Sequence, residues 1–412
     1  MSTFCLANGL RVIVEHSRSE VVYCGYLILA GTRHEDAQDA GMAHFIEHMT
    51  FKGTERRRSS QVNNALERVG GDLNAFTNKQ ETTYCATVLR KDTPRAIDLL
   101  TDIVFHSTYP QQEIEKEVEV IVDEIDSYRD SPAELIFDEF EKMLFEGHPL
   151  GRDILGEAQR LREYTTADAR RFVDKFYRPE HCVFYLYGEV DEKRVLTLLC
   201  KAHDTTIASE KEVVSENSEF DETDDFTTYE PQLREVEKGT HQAHVMVGAP
   251  TFGSRDSRRY ALLLLNNVLG GPAMNSRLNM VVREKHGLVY SIDSYLNTYP
   301  DAGYWNIYFG CDVEDVQRCL RLVKRELQRL IATPLTPTQL RYAKAQLCGQ
   351  IGISTDNRES YAHALAKTFA HTGRRRDVGE LLARIQAVTA EELQQLAAEI
   401  YAPERISTLI YK

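Results

Sequence analysis

The sequence contains no C-x-x-C pair, no long apolar run and no excess of basic residues. Its longest apolar runs, such as residues 261–265, are far shorter than the roughly 20 residues of a membrane-spanning helix, so we expect no membrane partner. Lysine and arginine number 49 against 63 aspartates and glutamates, which gives a net charge of −14. A nucleic-acid-binding protein needs a basic surface, so we expect no nucleic-acid partner.

The eight cysteines favour a reducing environment. Most lie inside apolar stretches, as Cys200 and Cys348 do, and we interpret them as buried free thiols of a cytoplasmic protein. This pattern argues against a zinc–thiolate site. The chain begins with apolar strand patterns around the turn signal Asn8-Gly9, without a basic segment and a long apolar one, so we expect no secretory signal.

One strongly acidic segment divides the chain. Residues 210–230 carry nine acidic residues against one basic residue, Lys211, and few aliphatic ones. Such a composition buries too little apolar surface to order itself, so we interpret residues 210–235 as a linker. The predicted domains are therefore residues 1–209 and residues 236–412.

The two predicted domains repeat one order of elements. In each, a strand precedes two helices, two further strands, a run of helices and a short closing strand. The predicted strands lie near residues 21–29, 73–77, 82–89 and 182–187 in the first domain, and near residues 243–249, 290–296, 303–310 and 406–410 in the second. This order favours the α+β class, and we predict in each domain an antiparallel sheet with helices packed on one face.

Two histidines four residues apart form a candidate metal site. On a helix this spacing puts His44 and His48 on one face, where both imidazoles can bind one zinc ion. Glu47 lies beside them, and in an H-x-x-E-H motif this glutamate acts as the general base on the attacking water. The alternative is a helix whose polar face carries His, Glu and His by coincidence.

A catalytic zinc site needs a third protein ligand, and residues 113–128 offer one. This segment has an apolar stripe, and Glu117 and Glu124 share a helix face beside it, two turns apart. Placing two carboxylates beside an apolar stripe costs desolvation free energy unless a cation compensates their charge. The alternative is an acidic helix with a solvated edge, which the other acids of the segment favour when the helix is considered alone.

The segment from Gly41 to Thr54 resembles the active-site helix of the inverted-motif zinc peptidases. This family contains pitrilysin, insulin-degrading enzyme and the mitochondrial processing peptidase. In it a distant glutamate completes the zinc site, and the resemblance implies this role for Glu124. Glu117 matches a companion glutamate that supports the site without binding the metal. The resemblance extends over nearly the whole chain, and the second domain contains no H-x-x-E-H motif, as the family leads one to expect.

A second matching segment, residues 71–77, is similar to the edge strand with which the family pairs its substrates. The resemblance implies that backbone groups of Asn74, Ala75 and Phe76 add the substrate as an extra strand. The residues alone indicate a hairpin strand that runs into a turn, and both interpretations can hold together.

A third match, residues 283–290, is similar to the family's Arg-to-Tyr segment. It implies that Arg283 and Tyr290 hold the substrate backbone and stabilise the tetrahedral intermediate, since both side chains donate hydrogen bonds to a developing oxyanion. Considered alone, the segment indicates only a helix end followed by a strand.

The resemblance as a whole implies a zinc-dependent endopeptidase with one Zn²⁺ per chain and peptides or unfolded polypeptide segments as substrates. Residues 1–209 would be the catalytic zinc-binding domain, and residues 236–412 a metal-free domain that clamps the substrate. Relatives of this length imply two chains closed around a chamber, and we expect a homodimer, with a heterodimer as the rival. The alternative function is a non-catalytic scaffold or peptide-binding subunit of the same fold.

Overall fold

The computed structural model describes residues 2–209 and 229–412. The strands are β1 Ser2–Leu6, β2 Arg11–His16, β3 Val21–Ile28, β4 Asp72–Thr77, β5 Thr82–Leu89, β6 Cys182–Gly188, β7 Ile207–Ser209, β8 Leu233–Val236, β9 Ala243–Phe252, β10 Val289–Thr298, β11 Ala302–Cys311 and β12 Ser407–Tyr411. The helices are α1 Met42–Thr50, α2 Ser59–Glu67, α3 Thr93–His106, α4 Gln111–Arg129, α5 Pro132–Leu144, α6 Ala158–Leu161, α7 Thr166–Phe176, α8 Glu192–Ala202, α9 Arg259–Gly270, α10 Val316–Ala332, α11 Pro337–Ser354, α12 Arg358–Thr372, α13 Val378–Ala387 and α14 Ala390–Ile400, with a π-helix at Asn279–Lys285.

The described residues form two units, and each takes segments from both halves of the sequence. Unit 1 comprises residues 2–126, 152–209 and 355–376, and unit 2 comprises residues 127–151, 229–354 and 377–412. Helix α12 therefore belongs to unit 1 and helix α5 to unit 2. Of the predicted linker, residues 210–228 lie outside the described residues, and Leu233–Val236 form strand β8.

Unit 1 contains a seven-stranded sheet in the order β4-β5-β3-β6-β2-β1-β7. Its strand pairs are antiparallel except for β2 and β6, which run parallel. A parallel pair needs a long crossover connection, and here the chain passes through several helices between these two strands. Strand β4 forms one edge of the sheet.

Both faces of this sheet are buried. Successive side chains of a strand point to opposite faces, so Val12 and Val14 enter the large core under helices α1, α3 and α7, whereas Ile13 enters a second core. Helix α12 covers that second face with an apolar stripe. Its buried residues there are Ala362, Leu365, Ala366, Phe369 and Ala370.

Unit 2 contains a five-stranded sheet in the order β10-β11-β9-β12-β8. Strands β12 and β8 are parallel and the other pairs are antiparallel. One face packs on α9, α10 and α14 around Trp305 and Val247. The opposite face, with Met246 and Leu409, is covered by α5 through Ile136 and Phe140.

The predicted α+β class is confirmed, as is the repeated order of elements. Two features correct the prediction of antiparallel sheets with helices on one face only. Each sheet contains one parallel pair, and each is covered on its second face by one helix from the other half of the sequence. Among the described residues, no helix is both long and apolar enough to cross a bilayer.

Candidate metal centre and active site

Helix α1 carries the H-x-x-E-H motif and is fixed by its buried side. Its apolar residues Met42, Phe45, Ile46 and Met49 are all fully buried in the core of unit 1. Glu35 accepts hydrogen bonds from the amide groups of Gly41 (2.9 Å) and Ala43 (2.8 Å) at the N-terminus of the helix. An acceptor there satisfies amide groups that have no partner within the helix.

The structure brings His44, His48 and Glu124 together. The Oε2 atom of Glu124 on α4 lies 3.9 Å from Nε2 of His44 and 3.6 Å from Nε2 of His48. One ligand atom from each of the three residues lies within 4.8 Å of the others. No other cluster of three metal-ligating residues is found among the described residues.

The three side chains fit a zinc ion. With metal–ligand distances of about 2.0–2.2 Å, ligand atoms of a tetrahedral zinc site lie roughly 3.3–3.6 Å apart, close to the spacing seen here. Burial and the neighbouring His48 lower the pKa of His44 to about 3, so its imidazole is neutral, as a metal ligand must be. Three protein ligands leave a fourth position for water or substrate, which is typical of a catalytic site.

Glu117 orients His48 from the side opposite the cluster. Its Oε1 atom lies 3.0 Å from Nδ1 of His48, and its other oxygen contacts the ammonium group of Lys52. Burial alone would raise the pKa of Glu117, but the hydrogen bonds from His48 and Lys52 lower it below its ordinary value. Because an ionised carboxylate only accepts, Nδ1 of His48 carries the proton and Nε2 presents its lone pair to the cluster.

Glu47 lies next to the cluster with one free oxygen. Its Oε2 atom is buried and has no hydrogen-bond partner among the described residues. Burial raises the pKa of Glu47, and a hydrogen-bond interaction with Thr77 acts in the opposite direction. A carboxylate with a raised pKa and an unpaired oxygen is suited to accept a proton from water.

Strand β4 presents an edge beside this helix. It pairs only with β5 in the described part of the chain, so one row of its backbone groups is open. Asn74 and Phe76 are exposed and Ala75 is half-buried. The three residues assigned to substrate pairing therefore lie on an accessible edge, and Thr77, the last residue of this strand, contacts Glu47.

Arg283 and Tyr290 lie in unit 2, whereas the histidine cluster lies in unit 1. The guanidinium carbon of Arg283 is 5.9 Å from the ring centre of Tyr290, and the side chain of Tyr290 is 87% exposed. The two residues are therefore neighbours and accessible, and their role towards a substrate stays a prediction.

Sequence reasoning missed three residues around the site. Lys52 follows His48 by four positions, so helical spacing could have placed it near Glu117. Glu35 reaches the site through the fold from a segment with no local signal, and Thr77 ends the matching segment 71–77 but was given no role there.

Two sequence models of one family match the chain. Residues 11–158 match the model described as Insulinase (Peptidase family M16), and residues 163–347 match the model described as Peptidase M16 inactive domain. A relative, the uncharacterized zinc protease YmxG of Bacillus subtilis (strain 168), is 32% identical over 404 residues, which cover 98% of this chain and 96% of that protein. The chain belongs to peptidase family M16.

Other proteins support this M16 assignment. The mitochondrial-processing peptidase subunit beta of Bos taurus is 30% identical over 402 residues, covering 96% of this chain and 81% of that protein. The crystal structure of a protease from Helicobacter pylori has a TM-score of 0.88 at 19% identity and covers 100% of this chain and 98% of its own. That of a peptidase M16 inactive domain from Pseudomonas fluorescens has a TM-score of 0.86, also at 19% identity, and covers 99% and 97%.

These findings confirm the family that the residues around His44 predicted. The two solved structures show that the chain has the M16 fold. The relatives' names place it in a family of zinc-protease-like proteins.

Proposed function

We propose that this chain is a zinc-dependent endopeptidase that cleaves peptides or unfolded polypeptide segments. The observation that carries the proposal is the convergence of His44, His48 and Glu124 beside Glu47 and its unpaired oxygen. Three metal ligands alone would suit a structural site as well. The adjacent carboxylate with a raised pKa adds the base that hydrolysis needs.

In the proposed reaction, His44, His48 and Glu124 would hold a zinc ion and Glu117 orients His48. A zinc ion held there would supply a water of lowered pKa and would polarise a carbonyl oxygen. Glu47 removes a proton from the water as it attacks the peptide carbonyl carbon. Glu47 then delivers this proton to the leaving amine nitrogen, so the same carboxylate acts first as base and then as acid.

We assign substrate binding to the open edge of β4. The backbone groups of Asn74, Ala75 and Phe76 would pair with an extended peptide, which selects for unfolded segments rather than for a strict sequence. Arg283 and Tyr290, from the same chain or from a partner chain, would donate hydrogen bonds to the substrate and to the developing oxyanion.

We further propose that two chains form a homodimer around a closed chamber. Light scattering should then give a mass of roughly twice 47.1 kDa, and a mass of one chain would contradict the homodimer. The rival is a heterodimer with an inactive partner.

All eight cysteines are free, which supports a reducing, cytoplasmic location.

The decisive experiment joins metal analysis with cleavage of a mixed peptide pool, read by mass spectrometry. The wild-type protein should contain one zinc per chain and cut peptides, and a chelator should abolish the cleavage. Glu47→Gln should keep the zinc and lose at least about 10²-fold in kcat, because the general base is gone. Glu115→Gln, an exposed residue of α4, is the matched control and should keep full activity.

Persistent cleavage by Glu47→Gln would contradict the mechanism. A wild-type protein that binds zinc and peptides without turnover would instead support the second candidate, a peptide-binding subunit. The match of residues 163–347 to the inactive-domain model is the observation that favours this alternative.

A further inference from the structure

One stripe of helix α12 faces the hairpin formed by β4 and β5. His363, Lys367 and His371 follow each other at a spacing of four residues, so they share one side of the helix. The ring centre of His363 lies 5.2 Å from that of Phe76 in the edge strand. This stripe is next to the apolar stripe that packs on the sheet, so the helix is fixed while its polar side reaches the hairpin.

The other two residues of the stripe bind Glu81, at the end of the turn after β4. Lys367 Nζ lies 2.7 Å from one oxygen of Glu81, and His371 Nε2 lies 2.8 Å from the other. Only 2% of the Glu81 side chain is exposed. Burial alone would raise the pKa of Glu81, but the hydrogen bond from His371 and the charge of Lys367 lower it to about 2.

The turn itself is buried, which is unusual because connecting turns run over the surface. Lys79, Gln80 and Glu81 are each at most 5% exposed. Within the turn, the side-chain oxygen of Asn78 accepts hydrogen bonds from the amides of Gln80 (2.8 Å) and Glu81 (3.0 Å), and its amide group donates to Glu81 (2.8 Å).

The turn is also connected to the active site, through the residues of β4 that precede it. Thr77 directly precedes the turn. Its hydroxyl lies 3.2 Å from that of Thr82, and its side chain lowers the pKa of Glu47 through a hydrogen-bond interaction. Phe76 belongs to the edge that is assigned to the substrate. We therefore expect a displacement of Glu81 to shift the last residues of β4 and the interaction of Thr77 with Glu47.

We propose that α12 positions the edge strand through the pairing of Lys367 and His371 with the buried carboxylate of Glu81. This inference deepens the proposed function and rests on it for the role of β4. Glu81, Lys367 and His371 are positioning residues, since they touch neither the metal ligands nor the open edge. Only the carboxylate of Glu81 is buried, since the Lys367 side chain is 49% exposed, and we expect the pair to fix the position of the turn more than to add net stability.

The test compares Lys367→Met with Lys367→Arg, which keeps the charge, and with Lys201→Met at an exposed site on α8. In zinc-loaded protein, amide hydrogen exchange in residues 72–77 should rise about tenfold in Lys367→Met, because the turn is released locally. It should stay at the wild-type rate in the other two variants. KM for peptides should rise severalfold in Lys367→Met, with zinc content unchanged and kcat changed less.

Unchanged exchange in residues 72–77 would overturn the proposal. So would a uniform rise over all of unit 1, which would mean that the ion pair only stabilises the fold. If Lys367→Met does not fold, His371→Phe replaces it in the test. This variant keeps the ring volume and removes the hydrogen bond to Glu81, and the same two exchange results would overturn the proposal. Hydrogen exchange is measured without turnover. If the wild-type protein cleaved no peptide, the proposed function would be contradicted, and the exchange rates of residues 72–77 would still test the positioning of β4.

Discussion

The carboxylate of Glu47 experiences opposing influences on its pKa. Burial raises the pKa, and the hydrogen-bond interaction with Thr77 lowers it. A general base acts only when it is deprotonated, so the acid limb of the pH–rate profile follows this pKa. We therefore expect Thr77 to set part of the pH range in which the proposed base works.

Replacing Thr77 by valine should move that acid limb to higher pH. The change keeps the shape of the side chain and removes the donor that stabilises the ionised form of Glu47, so the pKa of Glu47 rises further. The measurement is kcat/KM against pH for wild type and variant. Thr77→Ser keeps the hydroxyl and serves as the control. An acid limb at the wild-type position in Thr77→Val would show that the hydrogen bond does not tune the base.

The sequence predicts those site residues that belong to a local spacing pattern or to a segment that resembles the family. The spacing of His44 and His48 places them on one helix face, and the family resemblance singles out Glu124 on another helix. Thr77 and Glu35 could not be predicted in this way. Their contacts with the site depend on where separate segments meet after folding, and the match of residues 71–77 to the family's edge strand does not indicate that Thr77 meets Glu47.

Among the elements, α1 depends on a close approach of two backbones at its start. Gly41 has a φ angle of 83°, and a Cβ atom there would lie 2.8 Å from Cα of Gly156. Both the left-handed conformation and the contact therefore require glycine. This junction fixes where the helix with the H-x-x-E-H motif begins.

Gly41→Ala should lower the free energy of unfolding by more than the roughly 1–2 kcal/mol that a left-handed residue with a Cβ atom costs. Gly70→Ala is the matched control, since Gly70 has a φ angle of 71° and a Cβ atom there would have no neighbouring atom within 4 Å. Chemical denaturation of both variants gives the comparison. Equal losses in the two variants would show that the contact with Gly156 adds nothing.

The extent of the elements could largely be predicted, because apolar periodicity and turn residues are local. Strand β5, for example, spans Thr82–Leu89 as predicted. The parallel pairing of β2 with β6, and the packing of α12 on the sheet of unit 1, could not be. Both depend on segments that are distant in sequence. An apolar stripe on a helix predicts that this side is buried, but it does not predict which sheet it packs against.

At the scale of the whole molecule, each unit is completed by a helix from the other half of the sequence. Residues 2–209 lack α12, which covers Leu27, Val183 and Tyr185 on the sheet of unit 1. Residues 229–412 lack α5, which covers the second face of the other sheet. An isolated half therefore exposes an apolar sheet face that is buried in the intact chain.

The two halves, cut between residues 209 and 229, should not fold separately but should assemble when they are co-expressed. Each half supplies the helix that the other needs, and burial of the exposed face drives the assembly. Co-purification through a tag on one half, followed by zinc analysis, is the measurement. A first half that is monomeric and stable alone would contradict this expectation.

The place of α12 in the sequence has a consequence for synthesis on the ribosome. All strands of unit 1 have been synthesised once residue 209 is added. Helix α12, which covers one face of their sheet, follows only at residues 358–372. At about 5–20 residues per second, the apolar face waits roughly ten to thirty seconds for its partner. During that interval the nascent chain presents a binding site for chaperones, and the unit that carries the histidine cluster cannot mature before most of the polypeptide has emerged.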